Sequence, residues 1–182
     1  MFSNSRSNNF RLVLPKGFLA EKIEEKWDTY IKRLPIPFET VEKFIQSGIQ
    51  SVSFPSLSME PASQTRYGGK KQEYKNSVPI EDLFTRDVRI TFKASDGWVN
   101  YFIMLDNILN YLDFKSEQLY FDSMYLQLLD REGHIVTVIE MKNLVFTNLS
   151  EISCSYSDIS PDIKTFDISF KFVNIDITIP KA

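Results

Sequence analysis

The chain has one histidine, His134, beside Gly133 in the run Asp130-Arg131-Glu132-Gly133, and an imidazole is the side chain that titrates nearest neutrality. Nucleophilic catalysis would need a serine or cysteine spaced to hand it a proton. None has such a spacing, so His134 reads as a surface residue at a turn. Glu81-Asp82 and Asp130/Glu132 have the type used in acid–base chemistry, but paired acids on turns and strand ends ordinarily solvate the chain. Gly68-Gly69-Lys70-Lys71 lacks the G-x-x-x-x-G-K-[ST] spacing and the following apolar helix of a phosphate loop. It reads as a turn with basic flanks. Cys154 alternates with Ile152 and Tyr156 on one strand face, the position of a small core residue. One cysteine and one histidine can form neither an intramolecular disulfide nor a structural zinc site. The residues therefore predict no enzyme, no metal and no cofactor.

What remains is a chain of 182 residues with 43% apolar and 14% aromatic side chains. That length favours one domain, and folding would remove roughly 70% of its unfolded surface from water. The net charge of −3 argues against holding nucleic-acid phosphates by bulk charge. The N-terminus MFSNSRSNNF has no apolar h-region, and no apolar run approaches the roughly 18 residues of a membrane span. A soluble chain made in a cytoplasm, with no membrane anchor, is the expectation.

Residues 1–9 are polar and read as a flexible arm, and a first strand follows at Phe10, Leu12, Val13 and Leu14. Residues 16–47 form a helical insert. Apolar positions 19, 23, 27, 30, 31 and 34 mark one helical face up to Pro35, and Phe38, Val41, Phe44 and Ile45 mark further turns ending at Gly48. Val52 and Phe54 alternate with Ser51 and Ser53 as a strand, and Val88, Ile90 and Phe92 alternate with polar residues as another. Trp98, Phe102, Leu105, Leu109 and Leu112, widened by Val99, Ile103 and Ile108, predict an amphipathic helix after Ser95-Asp96-Gly97. Four strands then follow, at 120–130, 135–141, 151–157 and 163–177, with a hairpin turn at 130–133. A run of strands with one well-placed helix predicts a mainly β (α+β) fold: an antiparallel β-sandwich or barrel with one flanking α-helix and the N-terminal helical insert.

Two polar features need an account. Residues 58–80 form a long loop carrying Arg66, Tyr67, Lys70, Lys71, Tyr74 and Lys75, a hairpin tip or a long excursion whose composition suits a contact surface. Ser51 and Ser53 in one strand, and Ser153 and Ser155 in another, face away from apolar neighbours, which describes a sheet with its back to the core and a hydrated front.

From residue 8 onward the order of signals resembles the tail tube proteins of contractile-tailed bacteriophages and the related tubes of contractile injection systems. The matching stretches are NNFRLVL, IQSVSFPSLSM running into RYGGKKQEYKNSVPI, RDVRITFKASDGWVNYFIMLDNIL, YLQLLDREGHIVTVIEMKNLVFTNLSEISCSY and TFDISFKFVNIDI. The departure is the 16–47 insert, longer than in many of the family. The resemblance implies a structural virion protein in the tail, assembled in the host cytoplasm, whose subunits form hexameric rings stacked into a conduit. The implied partners are copies of itself, the tail sheath, the baseplate, the tape-measure protein, and DNA that passes without sequence-specific binding. Arg66, Tyr67, Lys70, Lys71, Tyr74 and Lys75 would then make contacts between rings or subunits, and Ser51, Ser53, Ser153 and Ser155 would face the lumen. The insert keeps open a second reading within the family, a baseplate-to-tube junction or tube-terminating ring. A carbohydrate-binding β-sandwich, motivated by Tyr67, Tyr74 and Trp98, is the reading outside it.

Overall fold

The computed structural model describes residues 9–35, 37–53, 61–65, 69–74, 86–113, 118–152 and 164–180. The elements in chain order are β1 (Phe10–Val13), α1 (Glu21–Ile31), α2 (Val41–Ser47), β2 (Ile49–Ser53), β3 (Ala62–Thr65), β4 (Lys71–Tyr74), β5 (Asp87–Lys93), a 3-10 turn (Asp96–Trp98), α3 (Val99–Tyr111), β6 (Phe121–Leu129), β7 (Ile135–Leu149), β8 (Thr165–Lys171) and β9 (Asn174–Thr178). Among the described residues seven strands make one antiparallel sheet in the order β1-β6-β7-β8-β5-β2, with β9 also paired to β7, and β3 and β4 pair only with each other. The fold is mainly β, with three α-helices among the described residues, the class that the sequence predicts. No helix among the described residues is long and apolar enough to cross a membrane.

β7 organises the sheet. Its first part, Ile135–Leu144, pairs with β6, and Val138–Lys142 within that part also pairs with β9. Its last part, Val145–Leu149, pairs with β8. Strand alternation places Ile139 and Met141 in the core, then breaks: Leu144 is the next buried position. The residue at the break is Asn143, with φ +54°, a left-handed conformation that asparagine tolerates better than most residues. A second irregularity lies between Phe146 and Asn148. These offsets bend the strand and re-aim its side chains, so one strand serves both halves of the sheet. The predicted 163–177 strand divides correspondingly into β8 and β9 at Phe172-Val173, where Val173 N–H donates to the Lys142 carbonyl at 3.0 Å. β7 also runs eight residues past the predicted end at 141. Of the strand expected at 151–157, Glu151 and Ile152 are not in a strand, and the rest lies outside the described residues.

Helix α3 closes the apolar side of this sheet. Tyr101 meets Phe166 edge-on at 5.3 Å between ring centroids, and Tyr111 stacks on Phe121 at 4.7 Å. Two buried asparagines set its rotation. Asn107, 3% exposed, donates to the Phe18 carbonyl at 2.7 Å and accepts from the Ala20 N–H at 3.0 Å, joining α3 to the entry of α1. Asn100 donates to the Lys93 carbonyl at 2.7 Å and accepts from the Ser95 N–H at 3.0 Å. A Cβ on Gly48 would lie 3.1 Å from the Asn100 amide nitrogen and 3.3 Å from the Lys93 carbonyl oxygen. Gly48 has φ −82°, so glycine serves close approach there, rather than the left-handed helix ending that its position suggests.

The inward face of α3 is therefore Asn100, Ile103, Met104, Asn107 and Ile108, which corrects the predicted stripe. Phe102, Leu109 and Leu112 are exposed, Leu109 at 59%, and Leu105 is half-buried. Residues at 100, 104, 107 and 111 share one face of a 3.6-residue helix, and 102, 105, 109 and 112 share the opposite one.

Two stability measurements check this arrangement. Asn107→Ala leaves a buried carbonyl and a half-buried N–H without their side-chain partner and should cost about 1–3 kcal/mol in urea unfolding. Ile103→Ala should cost roughly 2–5 kcal/mol, whereas Leu109→Gln should change stability by less than about 0.5 kcal/mol. The reverse order would mean that the helix is turned the other way.

Candidate functional site

Three strands are edges of the seven-stranded sheet among the described residues: β1 pairs only with β6, β2 only with β5 and β9 only with β7. An open edge presents unpaired N–H and C=O groups, a template for pairing with another chain. Beside β9 an apolar row of the sheet passes from buried to exposed positions. Leu126 and Ile139 are buried, whereas Ile177, in register with Ile139, is exposed, and so is Ile179 just past β9, at 72%. The core face of the sheet thus continues into solvent at this edge.

The long loop contains a two-stranded ribbon. Ala62 pairs with Tyr74 and Thr65 with Lys71, and Gly69 near its tip has φ +76°. All eight strand residues are exposed. Of the predicted contact residues, Lys70, Lys71 and Tyr74 lie on this ribbon and are exposed; Arg66, Tyr67 and Lys75 lie outside the described residues. The hairpin alternative for this segment is the one observed.

The serines fall in the same divided way. Ser51 and Ser53 are exposed on β2, while Ser153 and Ser155 lie outside the described residues, as does Cys154. The front of which Ser51 and Ser53 are part is broader and more charged than serines alone suggest. Ser53 stands in register with Arg89 and Ser169, and Ser51 with Thr91 and Asp167. The Thr91 hydroxyl donates to Asp167 at 2.7 Å. On the outward face of the other half of the sheet, the Tyr125 hydroxyl donates to Glu140 at 3.0 Å, and Lys142 bridges Glu140 at 3.5 Å and Asp176 at 2.6 Å. Hydrogen bonds from Ser123 and Tyr125 and the charge of Lys142 hold the Glu140 carboxyl below its ordinary range. The Asp176 hydrogen bond raises Lys142, and the bond to Glu140 raises the Tyr125 phenol. The alternation of β6 and β7 points to an outward face, but their cross-strand registers, which bring these partners together, are not readable from it.

No protein-family model matches the chain, and no curated protein matches it. Solved structures do. A chain of the anti-feeding prophage cap, the AFP tube terminating cap, has TM-score 0.57 at 10% identity, covering 99% of this chain and 94% of its own. A chain of the six-fold symmetrised anti-feeding prophage baseplate has TM-score 0.57 at 12% identity, covering 98% and 97%. The chain shares their fold end to end.

The Glu140 network has a pH signature. A carboxylate with a lowered pKa contributes stability that is full above its unfolded pKa and is lost as pH falls through the folded one. Tyr125→Phe removes one of the donors responsible. The Glu140 carboxyl titration, followed by carbon NMR, should then move up toward the ordinary value of about 4.3; an unchanged midpoint would mean that the phenol does not donate to it in solution.

Proposed function

We propose that this chain is a structural ring subunit of the tube apparatus of a contractile tail or injection particle, and that it forms the terminating or junction ring rather than the repeated tube. The observation that carries the reading is the end-to-end fold match to chains of a tube-terminating cap and of a baseplate, which includes the 16–47 insert. The insert is the part of the sequence that departs from the tube pattern, so a match that spans it favours a specialised ring. The whole chain acts as one tail-tube-like domain.

The mechanism is passive: no bond is made or broken. The edges β1, β2 and β9 supply strand pairing to neighbouring copies, and a head-to-tail interface that closes on itself yields a ring. Exposed apolar residues at β9 and on α3 supply surface to bury between copies or against adjoining components. The ribbon carrying Lys70, Lys71 and Tyr74 reaches from the subunit toward the next ring, the sheath or the baseplate. Tape-measure protein and then DNA pass through the lumen, with Ser51 and Ser53 on a face that offers short hydroxyls, and six copies at −3 each carry about −18, which repels phosphate at short range. Nothing in the geometry favours the carbohydrate reading: Tyr74 and Trp98 lie on separate elements, and Tyr67 is outside the described residues.

Negative-stain microscopy over a concentration series should yield six-fold rings, and in purified particles the chain should be present at one ring's worth of copies. Hollow tubes, or a copy number of many rings, would make it the repeated tube subunit. A monodisperse monomer in particle-free preparations that also never enters particles would defeat both. Deleting residues 67–74 should leave a folded subunit that forms rings but fails to join the adjoining component.

A further inference from the structure

We propose that the β6–β7 turn binds a single divalent transition-metal ion, of which zinc is the best match, through Asp130, Glu132 and His134. The proposal rests on the geometry of the turn and is independent of the assembly reading. It runs against the expectation from sequence, which rests on the absence of a Cys/His cluster.

The three residues occupy alternate positions around the turn, and one ligand atom from each lies within 4.8 Å of the other two. His134 Nδ1 is 3.3 Å from Asp130 Oδ2 and 3.6 Å from Glu132 Oε2. Nitrogen and oxygen ligands sit about 2.0–2.2 Å from zinc, so neighbouring corners of a tetrahedral site are about 3.3 Å apart. The spacing of the imidazole nitrogen from both carboxylates matches that of atoms sharing an ion, and in the ion-free turn the 3.3 Å approach is a long hydrogen bond between His134 and Asp130 that a metal would replace. Glu132 is on the exposed rim of the turn, free to swing its carboxylate closer to Asp130.

Asp130 is held for this role. Its Oδ1 accepts the backbone N–H of Glu132 at 2.8 Å and that of His134 at 2.9 Å, leaving Oδ2 as the ligand. Backbone bonds of this kind fix a ligating carboxylate as an outer shell does. One imidazole nitrogen with two carboxylate oxygens suits zinc, cobalt or nickel, whereas magnesium and calcium prefer oxygen alone. Three protein ligands leave a further position for water or for a donor from another molecule.

The test is titration of the tag-free protein with zinc chloride by calorimetry, repeated with cobalt and followed by its visible absorption. One equivalent per chain should bind saturably, unaffected by excess magnesium. His134→Ala should weaken binding at least roughly tenfold, and Asp130→Asn, which keeps an oxygen for the turn N–H groups, should weaken it by a similar factor. Circular dichroism of the variants checks that the fold persists. Absence of saturable binding up to about 1 mM, or equal affinity in His134→Ala, would overturn the site.

Discussion

The break in β7 at Asn143 is the constraint on which the sheet depends. A strand of 15 residues with unbroken alternation would keep the same parity of side chains on one face throughout. β7 instead buries Ile139 and Met141, then Leu144, and a left-handed asparagine absorbs the extra step. Because of that step, β7 can take β9 along one part of its length and β8 along the next, while β8 and β9 follow as a single return path with a jog at Phe172-Val173. The aromatic core forms where the two parts meet: Phe121 lies 6.1 Å from Phe170, and Phe18 packs against both. Without the break, Leu144 would leave the core and the facing rows would fall out of register.

A second constraint acts through backbone groups that must be paired. The chain enters α1 through Phe18 and Ala20, whose carbonyl and N–H meet Asn107. The end of β5 likewise offers the Lys93 carbonyl to Asn100. Burying these polar groups without partners would cost more than exposing a few apolar side chains, so α3 turns its asparagines inward and leaves Phe102, Leu109 and Leu112 outside. A helix that is apolar on both faces is characteristic of burial on both. The outer apolar face of α3 is thus a consequence of how the inner face is satisfied, and it leaves surface for an assembly to cover.

The same facts explain what could be read in advance. β5 was legible because Val88, Ile90 and Phe92 alternate without interruption, and the insert because Pro35 and Gly48 punctuate it. The turn at Asp130–Gly133 was legible from its residue types. The rotation of α3 was not, because Phe102, Leu105, Leu109 and Leu112 repeat as regularly as the residues that are buried; only the two asparagines carry the signal, and their partners are residues 18, 20, 93 and 95, two of them more than 80 positions away. The division of 163–177 was hidden too, since Phe172 and Val173 look like two more strand residues until the break in β7 is known. For the candidate surfaces, Ser51 and Ser53 were legible as an outward pair. The exposure of Ile177 and Ile179 was not, because an isoleucine at a free sheet edge has the same local pattern as one in the core.

These surfaces favour self-association over solitary existence on physical grounds. A two-stranded ribbon is marginal in water by itself, yet among the described residues β3 and β4 pair only with each other and bury none of their residues. Packing against a neighbouring molecule would bury the faces that the ribbon leaves exposed. The edge at β9 couples two incentives, since among the described residues its outer side has no strand partner beside Ile177 and Ile179, and a partner strand laid there would pair the backbone while covering the side chains. An edge that met an identical edge would close a two-fold pair and stop. With β1, β2 and β9 differing in sequence and neighbours, pairing of unlike edges is the more complementary choice, and an unlike-edge contact whose rotation closes produces a ring. The proposed ring therefore follows from the same open pairing that the bent sheet leaves at its margins.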